Sequence, residues 1–286
     1  MLCSMWSRTL VRVAFSTVSV AAIVLATYPA EAGLVSVDIG KSLTYMQTGP
    51  STLVNGGTFF AARAFMASPG DFDGGTLTYP GAGSPRTLSP SIDPSGPIVG
   101  YQTPYLADKT TLDTNYPFGS YVFNATNSVT SASQSATIPY GIDAYTADLP
   151  ALSAGTFGSL STNTPSTFHF NAHTPDASAD FARTFLTLFD YTQSAFVFSS
   201  GALSNSATGV FVGTLTPGDL IGYELIFSDG ITGTDAASGL PEVQFFDQRT
   251  RGTFVATAGP EPATLALFGA GLAGLGALRR RRKAKA

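Results

Sequence analysis

The feature that most limits the fold is a pattern of short apolar runs between Gly33 and Gly259. No sustained helical period occurs there; apolar residues alternate with polar ones and are bounded by Gly, Pro, Ser, Asn or Asp. The candidate strands are rich in Phe, Tyr, Val and Thr, which suit a pleated, half-buried surface. They comprise residues 34–39, 58–66, 76–79, 120–124, 136–140, 168–170, 184–189, 195–199, 210–215, 222–227, 243–246 and 253–257. We therefore predict an all-β fold, an antiparallel β-sandwich that is either one large or two small.

Turn chemistry separates the candidate strands. Gly accepts the positive φ angles of tight turns, and Asn and Asp side chains bond the backbone there. The clearest sites are Asn55-Gly56-Gly57, Asp73-Gly74-Gly75, Pro217-Gly218-Asp219 and Asp229-Gly230. We expect the chain to reverse direction at each of these places.

Proline divides the body into two segments. Residues 33–113 form a Pro/Gly-rich β segment, in which six prolines lie from Pro80 to Pro104. Because proline cannot donate a ladder hydrogen bond, this stretch predicts loops or edge strands rather than central strands. Residues 114–259 have the cleaner strand rhythm and predict the β-sandwich. The alternative is one sandwich on which the Pro-rich stretch is a long loop.

The first 32 residues have the layout of a secretory signal peptide. Arg8 and Arg12 precede an apolar core too short to span a bilayer comfortably, and Ala30 and Ala32 follow as an A-x-A pair. We expect export and cleavage after Ala32, with a permanent N-terminal anchor as the alternative. The single cysteine, Cys3, would leave with this segment. The mature body would then have no disulfide, thiolate metal site or cysteine nucleophile.

Residues 260–286 form a second targeting segment. Pro260-Glu261-Pro262 precedes a Gly-rich apolar run, and the run is followed by Arg279, Arg280, Arg281, Arg282 and Lys283. The run, about 16 residues, would be roughly 24 Å long as a helix, which is short for a bilayer unless the arginine stems reach outward. Basic residues stay on the cytoplasmic side. We therefore predict a C-terminal transmembrane helix with the body on the opposite side of the membrane.

The order of Pro260-Glu261-Pro262, an apolar helix and an arginine cluster resembles the PEP-CTERM sorting signal of Gram-negative bacteria, also catalogued as the ice-binding protein C-terminal domain. The resemblance implies recognition by an exosortase, a membrane-embedded transpeptidase-like protease, with cleavage near the Pro-Glu-Pro motif. The family occurs in bacteria that make exopolysaccharide. It implies at least transient anchoring in the inner membrane, then delivery to the outer envelope, cell surface or extracellular matrix. It implies nothing about what the body does.

Charge argues against two classes of partner for the body. Residues 33–259 contain 7 Lys or Arg against 17 Asp or Glu, so the body is acidic. Such a surface is repelled by nucleic acid and by anionic membranes. It is neutral towards sugars. The resemblance at the C-terminus implies an exosortase-type protease as a partner and suggests exopolysaccharide, and the C-terminal helix predicts contact with the membrane.

Two stretches have the residue types of a metal site without its spacing. Asp71 and Asp73 precede two glycines, but the later positions do not match an EF-hand, which leaves an irregular calcium loop or a plain acidic turn. His169 and His173, with Asp176 nearby, lack the Glu of H-E-x-x-H and lie in a predicted strand and its turn. We therefore predict no cofactor, and calcium is the one metal that the sequence leaves open.

No catalytic set stands out in the body. No serine lies in G-x-S-x-G, and the body holds only two glutamates, Glu224 and Glu242. Glu224 alternates with apolar neighbours in a predicted strand and is expected to face solvent. The leading interpretation is a non-enzymatic structural or adhesive protein of the envelope or exopolysaccharide. The alternatives are a secreted carbohydrate-active enzyme with an Asp pair, and ice binding, which the name of the C-terminal segment suggests. Thr76 and Thr78 alternate as an ice-binding face requires, but no repeat in the sequence extends them.

Overall fold

The computed structural model describes residues 33–93, 95–158 and 165–257, in which the chain is mostly β, as predicted. The predicted signal peptide and C-terminal transmembrane helix lie outside these residues. The strands are β1 (Leu34–Gly49), β2 (Thr52–Met66), β3 (Gly74–Thr78), β4 (Arg86–Asp93), β5 (Gly96–Gln102), β6 (Gly119–Thr126), β7 (Ser133–Tyr140), β8 (Ser166–His169), β9 (Phe181–Asp190), β10 (Ala195–Ser199), β11 (Leu203–Ser204), β12 (Gly209–Val212), β13 (Leu220–Thr234) and β14 (Pro241–Val255). Two short helices, α1 (Lys109–Asn115) and α2 (Ala154–Gly158), complete the described elements. In this part of the chain no helix has the length and apolar character to cross a membrane.

Twelve of the strands form one continuous sheet in the order β10-β9-β13-β14-β1-β2-β5-β4-β3-β6-β7, with β11 paired to β9. A separate two-stranded sheet holds β8 and β12. β1 and β14 run parallel, whereas the other described pairs are antiparallel. The predicted all-antiparallel arrangement is therefore wrong at this pair. Parallel neighbours need a long connection, and here nearly the whole body lies between the two strands.

The first hydrophobic core forms where the long sheet folds over one of its own faces. β3, β6 and β7 lie across from β1, β2 and β14, and their inward side chains pack together. The rings of Phe60 on β2 and Tyr121 on β6 have centroids 5.7 Å apart, and those of Tyr140 on β7 and Phe246 on β14 are 6.0 Å apart. The packing is that of a sandwich, but the hydrogen bonding is that of one mixed sheet. This replaces the predicted sandwich of separate sheets.

A second core lies at the other end of the same sheet face. It packs Phe168 of β8 against Leu188 of β9 and Leu225 of β13. Gln47 near the end of β1 reaches this core, where its Oε1 accepts hydrogen bonds from the Tyr223 hydroxyl at 2.9 Å and from the backbone N–H of Leu152 at 3.0 Å. β1 therefore contributes to both cores.

The Pro-rich stretch contains two sheet strands, β4 and β5, so the prediction of loops or edges there is wrong. Pro90 pairs only with β5, because the pairing of β4 with β3 ends at Leu88. Pro97 pairs only with β4, because the pairing of β5 with β2 begins at Ile98. Each proline nitrogen can therefore lie on a side that needs no ladder hydrogen bond, which is how a sheet tolerates proline.

Two of the four predicted turns lie inside strands. Asn55-Gly56-Gly57 is part of β2, and Gly57 has a φ of +96° where the register against β1 shifts. Asp229-Gly230 is part of β13, where a Cβ on Gly230 would come 2.0 Å from Cζ of Phe181. The first glycine serves a β-bulge, and the second leaves room for a ring on the neighbouring strand. Pro217-Gly218-Asp219 directly precedes β13, whereas Asp73-Gly74-Gly75 spans the start of β3, which begins at Gly74.

Candidate functional sites

The residues of the sorting signal lie outside the described part of the structure. They are Pro260, Glu261, Pro262, Arg279, Arg280, Arg281 and Arg282, and the predicted signal-peptide residues Ala30 and Ala32 lie outside it as well. Because β14 ends at Val255, the sequence passes from the sheet to the sorting signal almost at once. The candidate sites that the structure describes lie within residues 33–257.

The two calcium candidates hold their own loop in place. Asp71 Oδ2 accepts hydrogen bonds from the backbone N–H of Ser68 at 2.8 Å and of Gly33 at 3.3 Å. Asp73 accepts from the backbone N–H of Ser128 at 3.0 Å and from the Ser128 hydroxyl, and these bonds lower the pKa of Asp73. Among the residues that the structure describes, no three His, Cys, Asp or Glu side chains gather into a metal-binding group. Both aspartates therefore serve the loop.

The two histidines lie in different surroundings. His169 ends β8 and is exposed, whereas His173 is fully buried, with Nε2 2.9 Å from Asp229 Oδ1. The His173 ring lies parallel to the Phe227 ring with centroids 4.7 Å apart. The backbone N–H of Asp176 donates a hydrogen bond to Asp229 Oδ2 at 2.9 Å. The Asp176 carboxylate accepts one from the backbone N–H of Ser178, in the same turn, at 2.8 Å. These contacts tie the loop after β8 to β13.

Glu224 binds two arginines, so the expectation that it faces solvent is wrong. Its Oε1 accepts hydrogen bonds from Arg251 Nη2 at 2.6 Å and from Arg249 Nη1 at 3.4 Å. Burial alone would raise the pKa of Glu224, but the charges of Arg251 and Arg249 outweigh burial and lower it. Ile226 and Ser228 alternate in phase with Glu224 and are 0% and 1% exposed, so this face of the central sheet is also closed to solvent.

The same face of the sheet carries further buried ion pairs. Arg63 donates to Asp38 at 2.9 and 2.7 Å and to Asp93 at 3.2 Å. Arg249 Nη2 donates to Asp247 at 2.6 Å. All five side chains belong to buried residues. Buried charges persist in proteins when they are paired in this way.

Glu242, the other glutamate of the body, is buried on β14 opposite Gly233. A Cβ on Gly233 would lie 2.2 Å from Glu242 Oε1, so the missing side chain makes room for the carboxyl group. Burial, together with the nearby charge of Asp235, raises the pKa of Glu242. The Asp235 carboxylate itself accepts from the backbone N–H of Ser238 at 2.7 Å. Glu242 is thus a buried carboxyl group beside a carboxylate that is engaged in its own turn.

Four charged side chains, Lys41, Lys109, Asp113 and Asp143, form what we call the lysine–aspartate cluster. Lys41 Nζ on β1 lies 2.8 Å from Asp113 Oδ1 and 3.9 Å from Asp143 Oδ1. Lys109 Nζ on α1 lies 2.6 Å from Asp113 Oδ2 and 2.5 Å from Asp143 Oδ2. Each lysine thus contacts both aspartates. The cluster is not recognisable in the sequence, because its members come from β1, α1 and the loop after β7.

Aromatic rings cover the Lys41 side of the cluster. Lys41 Nζ lies 4.6 Å from the ring centroid of Tyr140 and 5.7 Å from that of Phe118. The Tyr140 hydroxyl donates to Asp143 Oδ1. The Lys41 side chain is only 3% exposed, against 41% for Lys109. Burial lowers the pKa of Lys41, and the bond to Asp113 offsets only part of that effect.

The outer surface of β4, β3, β6 and β7 is covered by short polar side chains. Inward positions on these strands hold core residues such as Leu77 and Phe123, so the alternate positions face outward. The outward residues include Thr76, Thr78, Thr87, Ser89, Ser120, Val122, Asn124, Thr126, Ser133, Ser135 and Thr137, all of which are polar except Val122. We call this surface the hydroxyl face. None of its residues is charged.

The strand register sets the hydroxyl face in rows. One row is Thr87, Thr76, Asn124 and Ser135, and the next is Thr78, Val122 and Thr137. Strands lie about 4.8 Å apart and alternate residues about 7 Å apart along a strand, so the side chains form a grid. The alternation of Thr76 and Thr78 that the sequence shows is therefore extended sideways by neighbouring strands.

Residues 260–282 match the PEP-CTERM protein-sorting motif. The chain therefore carries this motif where the sequence analysis placed it, and the predicted sorting signal is confirmed. The motif indicates export, sorting to the cell envelope and processing by an exosortase. No curated protein matches the chain. The role of the body has to be inferred from its own surfaces.

Proposed function

We propose that this chain is a non-enzymatic protein of the cell surface or exopolysaccharide matrix, in which the β body has a structural or adhesive role. The PEP-CTERM motif supports delivery to that place. In the proposed route the signal peptide takes the body across the inner membrane, and the C-terminal segment holds it there. An exosortase-type protease then releases it to the outer envelope, cell surface or matrix.

The hydroxyl face is the observation that carries the adhesive role. Ser and Thr hydroxyls both donate and accept hydrogen bonds, as sugar hydroxyls do. These side chains are short and already lie on a rigid sheet, so little conformational entropy is lost when a ligand orders them. An uncharged, open surface of this kind suits an extended polysaccharide better than a small molecule, which needs a concave pocket.

The arrangement of the carboxylates supports a role without catalysis. A glycoside hydrolase needs one carboxyl group that can give up a proton and a second that is free to act as nucleophile or base. In the described residues Asp38 and Asp93 are both bound by Arg63, and Glu224 is bound by Arg251. These groups are committed to ion pairs.

The delivery step is tested by replacing Arg279–Arg282 with glutamine in the full chain. We expect the variant to be missing from the surface fraction, because it loses the positive charges that hold the end of the apolar run on the cytoplasmic side. The control replaces the same four residues with lysine, which keeps the charge and should be delivered. Normal surface delivery of the glutamine variant would contradict the proposed sorting.

The adhesive role is tested by cosedimentation of the surface-purified protein with exopolysaccharide from the producing cells. We expect the double variant Thr76→Asp, Thr137→Asp to bind the polysaccharide at least tenfold more weakly. Each substitution removes a hydroxyl and places a carboxylate that must lose water under the ligand, and the loss of even one such contact costs on the order of a factor of ten in affinity. The control is Thr167→Asp, at an exposed position of β8 outside the hydroxyl face. Equal binding by the natural sequence, the double variant and the control would show that the hydroxyl face is not the polysaccharide-binding surface. Release of reducing ends from the polysaccharide would favour a carbohydrate-active enzyme instead.

Ice binding is a second candidate, because the rows of the hydroxyl face give the regular outward side chains that such a surface needs. Asn124 and Val122 interrupt the threonines within the rows, which weakens this candidate. Inhibition of ice recrystallisation by the full protein, and its loss in the same double variant, would favour it over adhesion to polysaccharide.

A further inference from the structure

The lysine–aspartate cluster brings an amine and a carboxyl group into contact inside the body. Lys41 Nζ is 2.8 Å from Asp113 Oδ1, and the two side chains form an ion pair in the structure. We propose that Lys41 and Asp113 condense to an intramolecular isopeptide bond, with Asp143 as the group that transfers the proton. The described residues contain no cysteine, so this bond would be their covalent cross-link.

The surroundings of Lys41 favour the neutral amine that the reaction needs. Its side chain is 3% exposed and its Nζ lies against the rings of Tyr140 and Phe118. An apolar environment disfavours the ammonium form, and a second cation, Lys109, disfavours it further. A proton can therefore pass from Lys41 to a neighbouring carboxylate more easily than it could at the surface.

The two oxygens of Asp113 have different partners. Oδ1 faces Lys41, whereas Oδ2 lies 2.6 Å from Lys109 Nζ. When Lys41 Nζ attacks the Asp113 Cγ, negative charge develops on the oxygen that stays bound. Lys109 already donates to Oδ2, so it stabilises that charge as the donors of an oxyanion hole do.

Asp143 is placed to move the proton. Its Oδ1 lies 3.9 Å from Lys41 Nζ, and the carboxylate is held by Lys109 at 2.5 Å and by the Tyr140 hydroxyl. In the proposed step it takes the two protons that Lys41 loses, one after the other, and passes both to Asp113 Oδ1, which leaves as water. Transfer by a positioned carboxylate is ordinary general acid–base catalysis.

The reaction balances without any added reagent. An ammonium and a carboxylate become an amide and one water: the bond from Lys41 Nζ to Asp113 Cγ forms, and the bond from Cγ to Oδ1 breaks. Asp143 and Lys109 end in the protonation states in which they began. The product ties β1 to α1 across 72 positions of sequence. Closing so long a loop restricts the unfolded chain and so stabilises the fold.

Tryptic peptide mapping of the denatured full chain from producing cells tests the bond directly. An acylated Lys41 is no longer a trypsin site, so we expect the peptide that ends at Arg63 to keep residues 41 and 42 joined. That peptide should be linked to the peptide of residues 110–183, at a mass one water below their sum. Complete cleavage after Lys41, with both peptides at their unmodified masses, overturns the proposal.

Two variants separate the chemistry from folding. In Asp143→Asn we expect Lys41 to become cleavable by trypsin, because the group that moves the proton is lost. The control Asp148→Asn removes a carboxylate that accepts from the backbone of Thr174 outside the cluster, and it should keep the cross-link. A cross-link formed as fast in Asp143→Asn as in the natural sequence would remove Asp143 from the mechanism. The map does not depend on where the protein is delivered, so its outcome is separate from that of the proposed function.

Discussion

Arg249 and Arg251 share the carboxylate of Glu224 in the middle of the central sheet. We expect Glu224→Gln to lower the free energy of unfolding by roughly 3 kcal/mol at neutral pH, because both guanidinium groups lose a charged partner inside the protein. Chemical denaturation followed by circular dichroism measures this. A loss below the error of the measurement would show that the arginines find other partners.

The pH dependence of stability should separate the two glutamates. The folded pKa of Glu224 is lowered from 4.5, so its contribution is fully present above that value and is lost as the pH falls through the lowered pKa. The folded pKa of Glu242 is raised from 4.5, so its ionisation opposes folding as the pH rises. We expect the free energy of unfolding, measured by chemical denaturation between pH 3 and 7, to change less with pH in Glu224→Gln than in the natural sequence. Glu242→Gln should not lose stability at pH 7, and equal losses in both variants would contradict these assignments.

The sequence predicts a turn at Gly230, but in the structure this glycine lies inside β13 and makes room for a neighbouring ring. The Phe181 ring occupies the space where a Cβ would lie, and its nearest atom would be only 2.0 Å from that Cβ. We expect Gly230→Ala to cost about 1–3 kcal/mol of stability, the usual range for overpacking. The control is Gly213→Ala, where nothing lies within 4 Å of the added Cβ. Equal midpoints of thermal unfolding for the two variants would mean that the ring moves aside freely.

At the scale of elements, alternation located strands well but not their lengths. The predicted strand at 184–189 lies within β9, yet the 15-residue β14 contains the short prediction at 243–246 and the first three residues of the one at 253–257. The residues between them include Asp247 and Arg249, which are buried on a sheet face that the sequence gives no reason to expect. Charged residues in a covered strand look like loop residues until their ion-pair partners are known.

The order of strands predicts a gradient of hydrogen exchange. β1 and β14 are paired on both sides at the centre of the sheet, whereas β10 and β7 end its strand order. An edge strand leaves one row of backbone groups unpaired, so it opens more readily. We expect amides in the middle of β1 and β14 to exchange at least tenfold more slowly than those of β10, as measured by mass spectrometry. Comparable rates in β10 and β1 would indicate a partner strand on that edge.

At the scale of the whole molecule, the sites divide by how their residues are distributed. The sorting signal is contiguous from Pro260 to Arg282, so the sequence alone revealed it. The lysine–aspartate cluster joins Lys41 to Asp113 across 72 positions, and the hydroxyl face depends on the register of four strands. Neither pattern exists until the sheet is folded. This is why the sequence predicted where the protein goes better than how its body acts.

The two cores should unfold together, because the first and last strands belong to both. Phe246 of β14 lies in the first core and Phe254 packs against the second, while β1 extends from Val37 in the first core to Gln47 at the second. We expect a single calorimetric transition. Leu77→Ala in the first core and Leu186→Ala in the second should each shift that whole transition downward, since each loses about 2–5 kcal/mol of buried contact. Both leucines are fully buried, so the pair is matched. Two transitions, of which each variant moved only one, would instead show that the cores fold independently on one shared sheet.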